Sequence, residues 1–228
     1  MRRRTMLTAA AALALTLASP AQGSFINYSA REINVKVVYF GPTWAQLERT
    51  LKHIHGRTNE RARGKLISLA TKDQRVLFFD FVPPGLGEIR GFKTRFHLYT
   101  APDRQGYDAS RRLVLKGVDA VVFVADASPA RARANRESWK RLRTTLDALG
   151  YPLRDVPLVV QLDGAGSKAR VSARQLEKQL GLSGRRVIAA DSSTGVGVFD
   201  TLKAAAKSVL LLLKRGAEQS APKGAQKR

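Results

Sequence analysis

Val35-Lys36-Val37-Val38-Tyr39-Phe40-Gly41-Pro42-Thr43-Trp44-Ala45-Gln46-Leu47-Glu48-Arg49-Thr50 reads as an apolar strand that enters a Gly-Pro turn and leaves it as a helix. In an α/β domain this is where a phosphate-binding loop sits. A working loop reads G-x-x-x-x-G-K-[ST]: its glycines free backbone N–H groups for the phosphates, its Lys meets the β/γ oxygens and its hydroxyl holds Mg²⁺. Gly41 fills the first glycine position. Gln46, Leu47 and Glu48 stand where the second glycine, the lysine and the hydroxyl belong. The layout of a nucleotide switch is present and its chemistry is removed.

Outward from this stretch, apolar runs of strand length alternate with helical patterns, which predicts an α/β domain with a mainly parallel central sheet and helices on both faces. Strands are expected at Val35 to Phe40, Lys65 to Ala70, Arg75 to Phe81, Phe92 to Tyr99, Asp119 to Ala125, Leu158 to Leu162 and Val187 to Ala190. The first is followed by a helix to about His55. Ser128 and Pro129 read as the start of a helix with Trp139, Leu142, Leu146 and Leu149 on one apolar face. Arg131, Arg133, Arg136, Lys140 and Arg141 lie mostly off that face and read as a solvated basic surface. Ser172 and Gln175 form a capping box, and Gly197 opens a last helix that turns Phe199, Leu202, Val209 and Leu213 inward. His53 and His55, two apart on a helix, point in different directions and read as surface residues, not a metal pair. His97, in an alternating strand, reads as packed or hydrogen-bonded.

With 228 residues and 44% hydrophobic content, the chain buries one substantial core. Forty Lys and Arg against eighteen Asp and Glu give a net charge of +22, which draws the protein toward anionic partners. The basic residues are spread along the chain without an aromatic-interleaved groove or a DNA-reading motif. Specific DNA recognition is therefore not expected, whereas nonspecific contact with anionic membrane or nucleic acid is. The absence of cysteine excludes disulfides, thiol catalysis and cysteine-bound metal.

The two ends differ from the middle. Residues 1–23 have the layout of an export signal: Arg2 to Arg4, an apolar run from Thr5 to Ala18 and a small-residue site with cleavage after Ala21. The run is too short to span a bilayer. Two localisations stay open: periplasmic or exported if the signal is used, cytoplasmic if the true start lies downstream. Residues 215–228 read as a disordered basic tail, leaving 24–214 as the folded domain.

Several segments carry a likeness that periodicity does not supply: Ser24 to Ser29, Gly64 to Leu69, Leu77 to Phe81, Leu86 to Tyr99, Tyr107 to Arg111, Lys116 to Asp119 and Thr194 to Ala204. Over about Ser24 to Lys214 the chain resembles the MglA family of bacterial gliding-motility and polarity GTPases. The resemblance implies a Ras-like P-loop GTPase fold, a GTP-controlled switch and a dimeric roadblock-type partner, MglB, that stimulates hydrolysis.

Set against that family's pattern, the nucleotide chemistry breaks at several positions. Besides Gln46, Leu47 and Glu48, Val76 replaces the threonine that contacts Mg²⁺. Asp103 and Arg104 replace the γ-phosphate-sensing glycine and the water-orienting glutamine. Gly166, in Asp163-Gly164-Ala165-Gly166, replaces the carboxylate that pairs with the guanine edge. What remains is Gly41, Asp80 at the position of an acidic Mg²⁺ holder, Arg75 at that of an intrinsic arginine finger, and Thr194-Gly195 at the loop beside the base. The expectation is a pseudo-GTPase in which Trp44 and Leu47 fold into the vacated pocket while Glu48 and Asp103 pair with Arg75 or Arg104. It needs no cofactor and binds an MglB-like roadblock protein or another motility or envelope protein. The alternative is a divergent small GTPase that still binds GTP and Mg²⁺, or another nucleotide, at Gly41, Asp80, Thr194 and Gly195, with Arg75 catalytic.

Overall fold

The computed structural model describes residues 25–70, 75–83, 88–89, 91–164, 166, 170–182 and 184–219. The signal-like segment, and the part of the basic tail beyond residue 219, lie outside them. In chain order the elements are β1 (Phe25–Asn27), β2 (Glu32–Phe40), α1 (Trp44–Arg57), β3 (Ile67–Ala70), β4 (Arg75–Phe81), β5 (Glu88–Ile89), β6 (Phe92–Thr100), α2 (Asp108–Leu115), β7 (Ala120–Asp126), α3 (Ala132–Ala148), β8 (Leu158–Asp163), α4 (Ala173–Leu180), β9 (Val187–Ala190) and α5 (Val198–Gln219).

One sheet runs β3-β4-β6-β2-β7-β8-β9, with β1 added to β2 and β5 to β6. The five strands from β6 to β9 are mutually parallel, while β3 and β4 are antiparallel to their neighbours. β7 and β8 are buried along nearly their whole length, as expected of strands covered on both faces. On one face Val35, Val37, Phe79, Phe96 and Leu98 pack with Leu47, Leu51 and Ile54 of α1 and Leu202 and Val209 of α5. On the other, Val38, Phe123 and Val160 pack with Leu115 of α2, Trp139, Leu142 and Leu146 of α3 and Leu176 of α4. These two layers are the α/β sandwich expected from the sequence.

Local rules account for the helix ends. Ser172 Oγ accepts from the Gln175 N–H at 3.2 Å and Gln175 Oε1 accepts from the Ser172 N–H at 2.7 Å, the reciprocal box read from the sequence. Gly181 closes α4 in the left-handed region at φ +64°. Two expectations need correction. Ser128 and Pro129 open only a short 3₁₀ turn, Pro129–Arg131, before α3 proper. The basic tail does not begin at residue 215, because α5 carries on to Gln219: Ala217, Glu218 and Gln219 are good helix formers and outweigh one helical glycine.

Candidate functional site

The turn after β2 is set by a close approach of backbones. A Cβ on Gly41 would run into the carbonyl oxygen of Val124 on β7, so the position demands glycine whatever the loop binds. Helix α1 then begins at Trp44, and the N–H groups of Gln46 and Leu47 donate to the Thr43 carbonyl at 3.1 and 3.3 Å. A phosphate cradle turns such donors outward. Leu47 is buried on the inner face of α1, Gln46 is buried beside it, and Trp44 packs half-buried against the same core.

The rim of the turn carries two carboxylates, Asp126 and Glu48, each already paired with a basic side chain. Thr43 Oγ1 donates to Asp126 Oδ2 at 3.2 Å and accepts from Arg131 Nη2 at 3.2 Å, and Asp126 Oδ1 takes the Ser128 N–H at 2.9 Å. Glu48 pairs with Lys52 at 2.9 Å, one turn on. That bond chiefly, with smaller contributions from Trp44 and the Arg75 charge, holds its carboxyl below the usual range. Arg75 is exposed at the start of β4, and its charge acts on the Glu48 carboxyl. Val76, half-buried next to it, pairs with Leu69 of β3 and brings only methyls.

Asp80 is held elsewhere. It is in register with His97 of β6, which is in register with Lys36 of β2. Gly41 lies five positions on from Lys36, about 16 Å along a strand. There Asp80 Oδ2 accepts from Arg95 Nη1 at 2.6 Å, while Arg95 Nε and Nη2 reach Glu32 at 3.0 and 2.8 Å. The structure therefore separates Asp80 from the Gly41 turn.

The segment after β6 is pinned from two sides. Arg141 of α3 donates to both carboxylate oxygens of Asp103 at 2.7 and 2.8 Å. Arg111 of α2, almost fully buried, donates to the carbonyls of Pro102 and Arg104 at 3.2 and 2.8 Å and to Asp108 at 2.5 Å. The expected pairing of Glu48 and Asp103 with Arg75 or Arg104 is thus corrected. Lys52 takes Glu48 because it lies one helical turn away, and Arg141 takes Asp103 because α3 packs beside the loop.

At the far end of β8, Asp163 is fully buried. Its oxygens accept from the Ser192 N–H at 2.7 Å and the Ser192 Oγ at 2.8 Å, and Arg49 Nε donates to the same Ser192 Oγ at 3.2 Å. Burial pushes the Asp163 carboxyl up, against the pull of these bonds and of Arg49. Arg49 thus bridges α1 to the loop after β9. Gly166 lies against the Asp191 carboxylate, which also binds Ser193 and is held below its usual range by those donors. Thr194 is exposed and accepts from the Val196 N–H at 3.4 Å. Gly195, at φ +87°, has the His53 ring where a Cβ would go, and the two form a shallow cleft of about 400 Å³ with Arg57, Val196 and Phe199.

His53 and His55 are accordingly half-buried, which corrects their surface reading: His53 meets Phe199 edge to face, and His55 meets Phe79 and bonds the Gly64 carbonyl at 3.1 Å. His97 bonds Asn34 Oδ1 at 2.7 Å, as expected. The residues that sequence reasoning missed are Arg49, Ser192, Asp126 and the acid-binding role of Arg131 and Arg141. Arg49 with Ser192 and Arg141 with Asp103 are far apart in the chain, so no spacing signals them, while Asp126 and Arg131 lie five residues apart with no motif to mark them. Among the described residues no cluster of His, Asp and Glu suits a metal ion, and no helix is long and apolar enough to cross a membrane.

No protein-family profile matches the chain. It is 52% identical over 193 residues, covering 85% of this chain and 99% of the relative, to the mutual gliding-motility protein MglA of Myxococcus xanthus (strain DK1622). With that identity over nearly the whole relative, and a mainly parallel sheet flanked by helices on both faces, the chain belongs to the MglA family of Ras-like, gliding-motility small GTPases.

Proposed function

We propose that this chain is an MglA-family pseudo-GTPase, a protein-interaction module in gliding motility or cell polarity whose GTP binding and hydrolysis are lost or strongly weakened. The observation that carries it is the α1 turn. Its Gln46 and Leu47 N–H groups are spent on Thr43, Leu47 is buried where a phosphate-binding lysine belongs, and the nearby carboxylates of Asp126 and Glu48 are engaged by Arg131 and Lys52. Arg141 and Arg111 tie down Asp103 and Arg104, so the segment that senses the γ-phosphate in a switch is held without one. The partner is an MglB-like roadblock protein or another motility or envelope protein. Localisation follows residues 1–23: export if they are cleaved after Ala21, the cytoplasm if translation starts downstream.

The second reading, a divergent GTPase, draws on the 52% identity to MglA and on the Arg75 charge acting on the Glu48 carboxyl. Titration of the full chain with fluorescent GTP, GDP and ATP, with and without Mg²⁺, separates the two. The pseudo-GTPase reading expects no saturable binding at millimolar nucleotide. Micromolar, Mg²⁺-dependent GTP binding overturns it and makes Arg75 and Asp80 the first residues to mutate.

A further inference from the structure

The face of the sheet opposite α1 and α5 is only partly covered. Helices α2, α3 and α4 seat on β7, β8 and the end of β2, while Ile67, Leu69 and Phe78 belong to neither core layer. Register puts Ile67 beside Phe78 and Phe78 beside Tyr99, so they share that face. Ile67 and Leu69 are 41% and 59% exposed, and the Phe78 and Tyr99 rings stack at 5.4 Å.

Next to this apolar strip is an open cleft of about 530 Å³, lined by Asn27, Asn34, Lys36, His97, Tyr99 and Lys116 among others. Lys36 Nζ lies 5.0 Å over the Tyr99 ring and donates to the Lys116 carbonyl at 2.9 Å. An ammonium has three donors, so that bond leaves capacity for a ligand. None of the described lining residues is acidic. The carboxylates of Glu32 and Asp80 nearby are taken by Arg95. Burial pulls the Lys36 pKa down, against the Asp119 charge, so a further negative group in the cleft would be favourable. Asn27, His97, Tyr99 and Lys116 also come from three separate segments that carry the family likeness, whereas the nucleotide positions depart from it.

We infer that this cleft is a docking site for an extended acidic peptide segment of a protein partner. A Glu or Asp carboxylate enters between Lys36 and Lys116, and a neighbouring apolar side chain lies along Tyr99, Phe78 and Leu69. A second copy of the chain does not fit, since two chains of +22 repel each other. A free small anion would leave the apolar strip unused. The inference rests on reading the chain as an interaction protein and is independent of whether the nucleotide site works.

The test is fluorescence polarisation of the full chain with a fluorescein-labelled peptide alternating Glu and Leu, alongside the nucleotide titration on the same samples. Lys116→Glu, at an exposed position, is expected to weaken binding by about tenfold or more, as for loss of a charge-assisted contact. Lys36→Met should do the same, with circular dichroism checking that the variant folds. Lys140→Glu, an equal charge change on the exposed side of α3, should alter binding less than about twofold once salt screens the net charge. Peptides with Gln for Glu, or Ser for Leu, should each bind more weakly than the parent. Equal loss with Lys140→Glu, no loss with Lys116→Glu, or full binding by the Ser peptide overturns the assignment. Nucleotide binding alone would overturn the pseudo-GTPase reading and leave the cleft standing.

Discussion

Arg141 on α3 grips both carboxylate oxygens of Asp103, at 2.7 and 2.8 Å, with the Asp103 side chain only 7% exposed. Asp103 lies in the segment between β6 and α2. A bidentate charged bond fastens that point to a helix packed on the core, and Arg111 fastens the carbonyls on either side. Arg141→Ala is therefore expected to cost about 1–3 kcal/mol in urea unfolding, since it strands a nearly buried carboxylate. Faster amide exchange in the loop after β6, with α3 itself unchanged, is the accompanying sign.

Restoring the motif should not restore the site. Leu47 is about 1% exposed, so Leu47→Lys puts a charge into the core and should destabilise by about 3 kcal/mol or more. The triple change Gln46→Gly, Leu47→Lys, Glu48→Thr is expected to give an unstable protein with no tight GTP binding. Recovery of micromolar affinity in that triple variant would mean that the turn refolds freely around a phosphate.

Gly41→Ala is expected to unfold the domain partly or wholly, with a loss of about 2–4 kcal/mol, because the added methyl meets a fixed strand carbonyl and not a flexible side chain. Thermal melts of Gly41→Ala beside Gly56→Ala make the comparison, since a Cβ at Gly56 meets nothing within 4 Å.

Two carboxylates should tilt stability with pH in opposite directions. Glu32, held low chiefly by its hydrogen bond to Arg95, contributes stability that is present above its ordinary value of 4.5 and is lost as pH falls through its lower folded value. Asp163, raised by burial, binds its proton more tightly in the folded state. Stability from that proton is full below 3.8 and is lost as pH rises through the higher folded value. Unfolding curves across the acid range should show Glu32→Gln removing part of the acid-side loss and Asp163→Asn removing the opposing slope.

The sheet was legible because its strands are buried and apolar on a short period: Val35 to Phe40, Arg75 to Phe81 and Val187 to Ala190 lie in observed strands. β1 and β5 were not, being three and two residues long and defined by pairing alone. That Gln46, Leu47 and Glu48 differ from the phosphate-loop letters was readable from residue type. What replaced them was not, because Asp103 with Arg141, Asp80 with Arg95 and Arg49 with Ser192 are partners only once the chain has folded. Even the charge count misled in detail. Arg133, Arg136 and Lys140 face solvent as expected, while Arg131 and Arg141 on the same stretch turn to Asp126 and Asp103.

Gly41 has a consequence for how relics of a motif are judged. Val124 fixes that glycine through a steric demand of the sheet, and the demand persists whether or not a phosphate ever visits. A descendant of this chain that had abandoned nucleotides entirely would still keep the residue. Survival of one motif letter therefore dates nothing and preserves no function, since architecture alone can keep it in place.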